Sequence, residues 1–266
     1  MNTNWIIEQS QKNVAQFDQD MALAYPTQKA GMHSAHEYLD TIGGICNYID
    51  ACEQVDWLRY LPLNSKVLDI GCGGGWLSAL LSRLDEVKTV YALDSSRHYL
   101  YNLLPQVMEL MQGETEKVIP IEGLFQPLLF EDSHLDAVVA SSVLHHADNL
   151  ESILKEIRRT LMRGGVLIVL NETPRNGFRY LLSVIAATVR IIRNLLLHRY
   201  LPLSPSISSS GYLCDPKLGD RDYPMWYWRK AFTASGFCME MTINTKLATL
   251  KRKHGRSLIH FICRAV

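Results

Sequence analysis

Residues 67–75, Val-Leu-Asp-Ile-Gly-Cys-Gly-Gly-Gly, constrain the fold of this chain more than any other segment. A short apolar run leads to Asp69 and then to glycine at 71, 73, 74 and 75, and an amphipathic stretch starts at Trp76. Because glycine has no Cβ and adopts positive φ without strain, such a loop lets the backbone approach a ligand closely. The segment therefore predicts a strand, a ligand-binding loop and a helix in succession.

The spacing of these glycines excludes two common nucleotide-binding loops. A Walker phosphate loop ends in Gly-Lys-Ser/Thr, and no such ending follows Gly75. A dinucleotide-binding loop needs Gly-x-Gly-x-x-Gly, but Trp76 or Ser78 stands where the third glycine should be. What fits is Asp-x-Gly-x-Gly-x-Gly over 69–75, with a second acid, Asp94, at the end of the next apolar run. A carboxylate in that place can accept hydrogen bonds from two neighbouring hydroxyls.

In these motifs the sequence resembles the class I S-adenosylmethionine-dependent methyltransferases, in particular their small-molecule, type 11-like branch, over about 61–174. The resemblance implies a doubly wound, mostly parallel, seven-stranded α/β sheet with an antiparallel C-terminal hairpin. It also implies S-adenosylmethionine as the cofactor and methyl transfer as the reaction. The residues that would bind the cofactor lie at strand ends and in the following loops: Asp69, Gly71, Cys72, Gly73, Asp94, Ser95, Leu124, Phe125 and Ser141.

Recognition of adenine departs from the pattern of that family. Members of this branch often have Gly-Asp-Ala after the third strand, whereas here Leu124 occupies the acidic position. We expect Glu122, or backbone groups of Leu124 and Phe125, to replace the missing acid. The adenine end is therefore the part of the cofactor site that the motif does not predict.

Alternating apolar and helical stretches predict the core. The predicted strands are rich in Val, Ile and Leu, as buried parallel strands are, and lie at 66–70, 88–93, 117–121, 135–141 and 165–171. The predicted helices lie between them at 76–84, 96–111 and 150–162. Gly164-Gly165 is expected to end the last helix before the fifth strand begins. Two final strands, 238–243 and 257–265, form the predicted hairpin. Such a sheet binds ligands beyond the carboxyl ends of its strands.

Three regions make up the expected organisation: an N-terminal helical cap (1–60), a core (61–174 and 223–266) and a helical insertion after the fifth strand (175–222). The insertion contains an apolar run, 178–203, whose uncharged part of ten residues is too short to span a bilayer. Three interpretations stay open for it: a lid over the acceptor pocket, a homodimer face, or a basic amphipathic helix lying on a membrane. The lid is preferred, because the family it resembles often covers its substrate at this place.

Composition narrows the class of partner. The chain has 27 basic and 27 acidic residues, so it lacks the excess positive charge that binds phosphate backbones, and we expect no nucleic-acid partner. The fourth strand ends in Ser-Ser-Val-Leu-His-His instead of the Asn/Asp-Pro-Pro-Tyr/Phe of base and amide methyltransferases, which favours a small-molecule acceptor. Six cysteines without metal-like spacing and a polar segment at 1–12 predict a cytoplasmic protein with reduced thiols and no bound metal.

Few side chains are needed for the chemistry of methyl transfer. The reaction is a displacement at a sulfonium carbon whose leaving thioether needs no proton, so alignment supplies most of the catalysis. A base is needed only where the acceptor must lose a proton near neutral pH, and histidine suits that role. The candidates are His146, His145 and Glu172 near the ends of predicted strands, with structural roles for both histidines as the alternative.

Fewer sequence features indicate which residues form the acceptor pocket. Tyr223 and Trp226, in an aromatic cluster before the last helix, are predicted to wall it, with packing against the sheet as the alternative. Tyr25 and His33 are expected near the cofactor from the resemblance alone. A hydrophobic or lipid-like metabolite is the preferred acceptor. A non-catalytic cofactor-binding subunit and aminopropyl transfer from the same cofactor are the alternative functions.

Overall fold

The computed structural model describes residues 3–5, 34–147, 149–197, 206–207, 211–214, 220–249 and 256–266. The strands are β1 (Ser65–Ile70), β2 (Val87–Asp94), β3 (Val118–Glu122), β4 (Leu135–Ser141), β5 (Leu161–Glu172), β6 (Ser206–Ile207), β7 (Leu213–Cys214), β8 (Phe237–Ala248) and β9 (Ser257–Ala265). The α-helices are α1 (Ala35–Leu39), α2 (Tyr48–Cys52), α3 (Trp57–Tyr60), α4 (Trp76–Ser82), α5 (Leu104–Leu110), α6 (Leu150–Thr160), α7 (Gly177–Leu196) and α8 (Met225–Ala234). The π-helical segments Asp40–Ile45 and Tyr99–Leu103 continue α1 and lead into α5.

Seven strands form one sheet in the order β3-β2-β1-β4-β5-β9-β8, while β6 and β7 form a separate small ribbon. The pairs among β1 to β5 are parallel, and β9 pairs antiparallel with both β5 and β8. The predicted doubly wound sheet with its C-terminal hairpin is therefore confirmed. The strand order reverses between β1 and β4, where such folds open a crevice at the carboxyl ends of the strands.

Both faces of the sheet are covered, and this explains the nearly continuous apolar runs of its parallel strands. Leu68 and Ile70 of β1 pack in one cluster with side chains of α6 and α8. Val67, which points to the opposite face, packs in a second cluster with side chains of α4 and α5. The ends of β1 and β4 are thereby fixed between two layers of helices.

The start of β5 differs from the prediction. α6 ends at Thr160 and β5 begins at Leu161, so Gly164 and Gly165 lie inside the strand instead of before it. The pairing with β4 moves from Leu161 to Val166 over only two residues of that strand, so β5 bulges at the glycines. Gly164 has a φ of +77°, which a bulge can require and which glycine adopts without strain.

The N-terminal region is helical only in part. α1, α2 and α3 confirm helices within 34–60, but residues 3–5 are extended, unlike the helical prediction. The backbone N–H of Trp5 donates to Glu122 O at 2.8 Å, and Glu122 N–H donates to Thr3 O at 2.9 Å. Backbone pairing with the end of β3 thus overrides local helical preference. Tyr25 and His33 lie outside the described residues.

The helix α7 confirms the helical character of the insertion, whereas the pattern does not predict β6 and β7. Tyr180 and Ala187 of α7 are buried, and Tyr180 Oη accepts a hydrogen bond from Leu213 N–H at 3.2 Å. The opposite side, called here the exposed face of α7, consists of large apolar side chains that are each more than half exposed: Phe178, Leu181, Leu182, Ile185, Val189, Ile192 and Leu196. They recur at the spacing of one helical face. In the part of the chain that is described, no helix has the length and apolarity to cross a membrane.

Candidate active site

A cavity opens where the strand order reverses, between the ends of β1 and β4. Of the residues predicted to bind the cofactor, those lining it are Asp69, Gly71, Cys72, Gly73 and Ser141. The pattern missed several side chains of the remaining wall, notably Tyr38, Ile42, Tyr48, Tyr99 and Ser142. Tyr38 and Ile42 have the spacing of a packed helical face, which does not distinguish core packing from a cavity wall.

The glycine loop takes its shape from both backbone conformation and lack of space. The N–H groups of Gly71 and Cys72 donate to Leu93 O at 2.8 and 3.0 Å, which joins the loop to the end of β2. Gly71 has a φ of +68°, and a Cβ on it would lie 2.2 Å from Val143 Cγ2. Glycine is therefore required at this position on two independent grounds.

Asp94 connects the loop to the residues that follow β2. Its Oδ2 accepts a hydrogen bond from Gly73 N–H at 2.8 Å, and its Oδ1 accepts one from Ser96 N–H at 2.9 Å. Ser95, which is also predicted to bind the cofactor, is the residue between Asp94 and Ser96. A carboxylate has about four acceptor positions and can accept from backbone N–H groups and from hydroxyls.

Asp69 is buried at the end of β1, and Ser78 Oγ donates to its Oδ2 at 2.7 Å. The pKa of Asp69 is raised to about 7, mainly by burial; the hydrogen bonds from Ser78 oppose the rise, and the charge of Asp94 adds to it. A nearby cation restores the charged form of a desolvated carboxylate. The cavity therefore favours a cationic group, such as the ammonium of an amino acid, beside Asp69.

The residues predicted for adenine lie next to the end of β2. Gly123 N–H donates to Asp94 O at 2.9 Å, which holds the following Leu124 and Phe125 near that strand end. Phe125 Cε1 would be 3.3 Å from a Cβ on Gly71, so its ring borders the glycine loop. The buried carboxylate of Glu122 is paired with Arg97 at 3.0 Å.

A chain of hydrogen bonds supports the cavity beneath Ser141. Asn171 Nδ2 donates to Ser141 Oγ at 2.9 Å, and Asn171 N–H donates to His260 Nδ1 at 3.1 Å. Because Nδ1 of His260 accepts, its Nε2 carries the proton and donates to Ala51 O at 2.8 Å. Burial lowers the pKa of His260, and backbone interactions with Ala51 and Ile259 partly offset this. The ring is therefore neutral and fixed in one tautomer.

The two histidines after β4 have different surroundings. His145 Nδ1 lies 2.9 Å from Oε2 of the buried Glu172, whose Oε1 accepts a hydrogen bond from Leu144 N–H at 3.2 Å. Burial alone would lower the pKa of His145, but Glu172 and then Asp220 and Asp222 raise it overall. Glu172 thus orients His145 and favours its protonated form. His145 and Glu172, both named as candidates from the sequence, thus lie together although they are far apart in the chain.

Asp220, which the sequence did not indicate, closes this cluster from the end of the insertion. Its Oδ1 lies 3.0 Å from His146 Nδ1 and 3.9 Å from His145 Nε2. The following Arg221 donates from its N–H to His145 O at 2.9 Å and from Nη1 to His146 O at 2.8 Å. Seventy-odd residues separate the partners, so no local pattern could have joined them.

The remaining predicted residues, Tyr223 and Trp226, are outside the described lining of the cavity. Tyr223 is 2% exposed and its Oη donates to Ala147 O at 3.2 Å, within an aromatic cluster against the sheet. Trp226 is 51% exposed and borders Gly177 at the start of α7. Tyr223 therefore packs against the sheet, which was the alternative given for these aromatic residues. A role of Tyr223 and Trp226 in an acceptor pocket stays a prediction.

The sheet, the glycine loop and the acid at the end of β2 are those of a class I S-adenosylmethionine-dependent methyltransferase domain, with S-adenosylmethionine as its cofactor. A family model described as a methyltransferase domain matches residues 68–169 of this chain.

Relatives and solved structures agree with this assignment. The chain is 34% identical over 111 residues to an uncharacterised chloroplastic methyltransferase of Arabidopsis thaliana. This match covers 40% of the present chain and 30% of the relative. It is 31% identical over 107 residues to a sterol 24-C-methyltransferase of Aspergillus fumigatus, with 38% and 26% covered. The chain thus matches less than a third of the length of these curated relatives. A putative methyltransferase from a complex with the Haloferax volcanii Trm112 activator shares the fold, with a TM-score of 0.59, 14% identity, and 93% and 98% of the two chains covered.

Proposed function

We propose that the protein transfers the methyl group of S-adenosylmethionine to a small acceptor. The observation that carries the proposal is the convergence of Asp69, the glycine loop and Ser141 in one cavity at the strand-order reversal. When bound there, the cofactor supplies an electrophilic methyl group on a sulfonium centre. We assign the cytoplasm as the place of this activity, on the sequence indications alone.

The proposed division of roles follows the positions of the acids. Asp69 and Ser141 would face the amino-acid end of the cofactor, where a buried carboxylate matches an ammonium group. Gly71 and Gly73 would let the backbone approach, and Cys72 would contact the same part. Asp94 would accept the ribose hydroxyls through charge-assisted bonds.

The adenine end is proposed to lie against the loop after β3. Leu124 and Phe125 follow Gly123, which is hydrogen-bonded to the end of β2, while Ser95 lies just after that strand. Glu122, considered as a replacement for the missing acid, is already paired with Arg97 and is the weaker choice. Backbone groups of Leu124 and Phe125 are therefore the preferred partners of the adenine amino group.

For an acceptor that must lose a proton, we propose His145 as the base, ahead of His146. Glu172 fixes the ring of His145 through Nδ1, which leaves Nε2 to accept a proton, as in other pairs of a carboxylate and a histidine. Glu172 itself is 2% exposed and holds His145 and the backbone, so it is a positioning residue. An acceptor that is already a carboxylate would need no base.

The insertion supports a hydrophobic or lipid-like acceptor. Between 173 and 214 the chain has five arginines and no acidic residue, and α7 carries an apolar exposed face. A basic helix with such a face suits a surface of anionic lipid, where a lipid-like acceptor would reside. The sterol methyltransferase among the relatives points to the same class of acceptor. A lid over the pocket and a homodimer face stay the alternatives for 178–203.

Calorimetry with S-adenosylmethionine tests whether the protein binds the proposed methyl donor. We expect binding by the wild type and at least a tenfold weaker affinity in Asp94→Ala, because the ribose would lose a charged partner. Asp50→Ala, on the exposed side of α2, is the matched control and should bind normally. Absence of binding in the wild type would reject the methyltransferase proposal.

Assays of S-adenosylhomocysteine formation across small acceptors separate the alternative functions. Turnover with one acceptor class supports methyl transfer, whereas intact binding with no turnover supports the partner-subunit alternative. Methylthioadenosine in place of S-adenosylhomocysteine would identify aminopropyl transfer. With an active acceptor, Glu172→Gln should shift the pH dependence of kcat downwards, because His145 would lose its anionic partner.

Co-sedimentation with anionic vesicles tests the lipid contact. Ile185→Ser and Val189→Ser together remove two central side chains of the exposed face of α7, and we expect this variant to lose vesicle binding while it keeps cofactor binding. Leu63→Ser, at another exposed apolar position, is the control and should bind vesicles like the wild type. Loss of dimers in place of vesicle binding would favour the homodimer alternative.

A further inference from the structure

We propose that His145, His146 and Asp220 bind a divalent transition-metal ion, such as Zn²⁺ or Co²⁺, next to the cofactor cavity. The expectation of no metal rested on the spacing of cysteines and histidines along the chain, which does not reveal a ligand brought in from the end of the insertion. The site can be tested without cofactor or acceptor. With the ion bound, Nε2 of His145 would be a ligand and would not act as the base proposed above.

The distances among the three side chains match a metal site. One ligand atom from each residue lies within 4.8 Å of the others. Asp220 Oδ1 is 3.0 Å from His146 Nδ1 and 3.9 Å from His145 Nε2. Ligands about 2.1 Å from a tetrahedral ion are roughly 3.4 Å apart, which falls between these two separations. Small side-chain rotations would therefore bring the atoms into coordination.

The surroundings of His145 are those of a metal ligand. Metal-binding histidines commonly donate their other ring N–H to a carboxylate, which fixes the ring and its tautomer. Glu172 Oε2 lies 2.9 Å from His145 Nδ1, so Nε2 is the nitrogen directed towards Asp220. Arg221 adds hydrogen bonds to the backbone carbonyls of both histidines. The positions of His145 and His146 are thus fixed by hydrogen bonds to Glu172 and Arg221.

Charge and access also favour a cation. The carboxylates of Asp220 and Glu172 flank two imidazole rings whose centroids are 4.3 Å apart. Asp222, close by, is already neutralised by Arg175 and Arg256. The three ligand side chains are partly exposed, while His146 Nδ1 and Asp220 Oδ1 themselves lie on the buried side of the cluster. Three protein ligands leave a further coordination position for water or an oxygen of a small molecule.

Titration of metal-free protein with Co²⁺, followed by visible absorption, tests the proposal. All variants carry Cys238→Ser, because Cys238 is an exposed thiol that could bind the ion instead. We expect one Co²⁺ per chain, displaced by Zn²⁺ and not by Mg²⁺, which prefers oxygen ligands. His146→Ala and Asp220→Asn should each weaken binding at least tenfold, and Glu172→Gln should weaken it 10- to 100-fold.

His36→Ala, on the exposed side of α1, is the matched control and should bind Co²⁺ unchanged. Circular dichroism of each variant establishes that it is folded, and Asp220→Asn keeps the size of the side chain. Unchanged binding in His146→Ala and Asp220→Asn, or no binding by the parent protein, would overturn the proposal. Since neither cofactor nor acceptor is present, this outcome is separate from failure of the methyltransferase proposal.

Discussion

The glycine loop and the insertion border the same edge of the sheet but are built on different principles. The loop consists of consecutive residues, 69–75, whose shape comes from backbone hydrogen bonds and positive φ angles. The insertion is fastened by side chains from distant positions, such as Asp222 between Arg175 and Arg256. Its helix α7 turns an apolar face outwards, whereas the helix after the glycine loop, α4, is mostly buried. The proposed donor site thus rests on backbone geometry, whereas the insertion is held by contacts between side chains that are distant in sequence.

The largest effect is expected from an added methyl group in the loop. Gly71→Ala places a Cβ 2.2 Å from Val143 Cγ2 at a φ of +68°, so we expect at least a hundredfold loss of cofactor affinity and about 2–4 kcal/mol of stability. Calorimetry and urea unfolding measure the two quantities. Gly164→Ala, at a φ of +77° with open space around it, should cost only about 1 kcal/mol and leave affinity intact. Equal effects at both positions would mean that the close approach to Val143 is unimportant.

A pair of leucine substitutions compares the two helices directly. Leu81→Ala in α4 removes a fully buried side chain and should lower the free energy of unfolding by about 2–5 kcal/mol. Leu182→Ala in α7, where the side chain is 51% exposed, should cost less than about 0.5 kcal/mol. Chemical unfolding at several protein concentrations provides the measurement. A large, concentration-dependent cost at Leu182 would show that a second copy covers the exposed face of α7.

A smaller effect, dependent on pH, is expected at Asp69. Its folded pKa, about 7, lies above the unfolded value, so the folded state binds the extra proton and loses stability as pH rises from about 4 to 7. Asp69→Asn should therefore stabilise the cofactor-free protein by roughly 2–4 kcal/mol at pH 8, with no gain at pH 4. The same variant should bind the cofactor more weakly. Stabilisation that is equal at both pH values would contradict this account.

The sequence predicted the parts of the molecule that depend on local geometry. The order of strands and helices, the glycine loop and Asp94 follow from periodicity and spacing within short segments. Tyr48 and Ser142, which share a hydrogen bond of 2.8 Å across the cavity, lie 94 positions apart and were missed. Asp220 was missed for the same reason, because its place beside His146 depends on how the insertion returns to the core. The extended residues 3–5 show tertiary pairing overriding a local preference.

The buried His260 gives the protein a second pH response, opposite in sign to that of Asp69. Because the folded pKa of His260 is lowered, its unfolded form takes up a proton first, and stability is lost as pH falls below about 6.5. Protonation of Nδ1 would also remove the acceptor of Asn171 N–H and loosen the support of Ser141. The two titrations change stability in opposite directions as pH falls below about 6.5, so the measured stability profile is flatter there than either contribution alone. Asp69→Asn should remove the response of opposite sign, so that the loss of stability in acid, and with it the loosening beneath Ser141, becomes measurable.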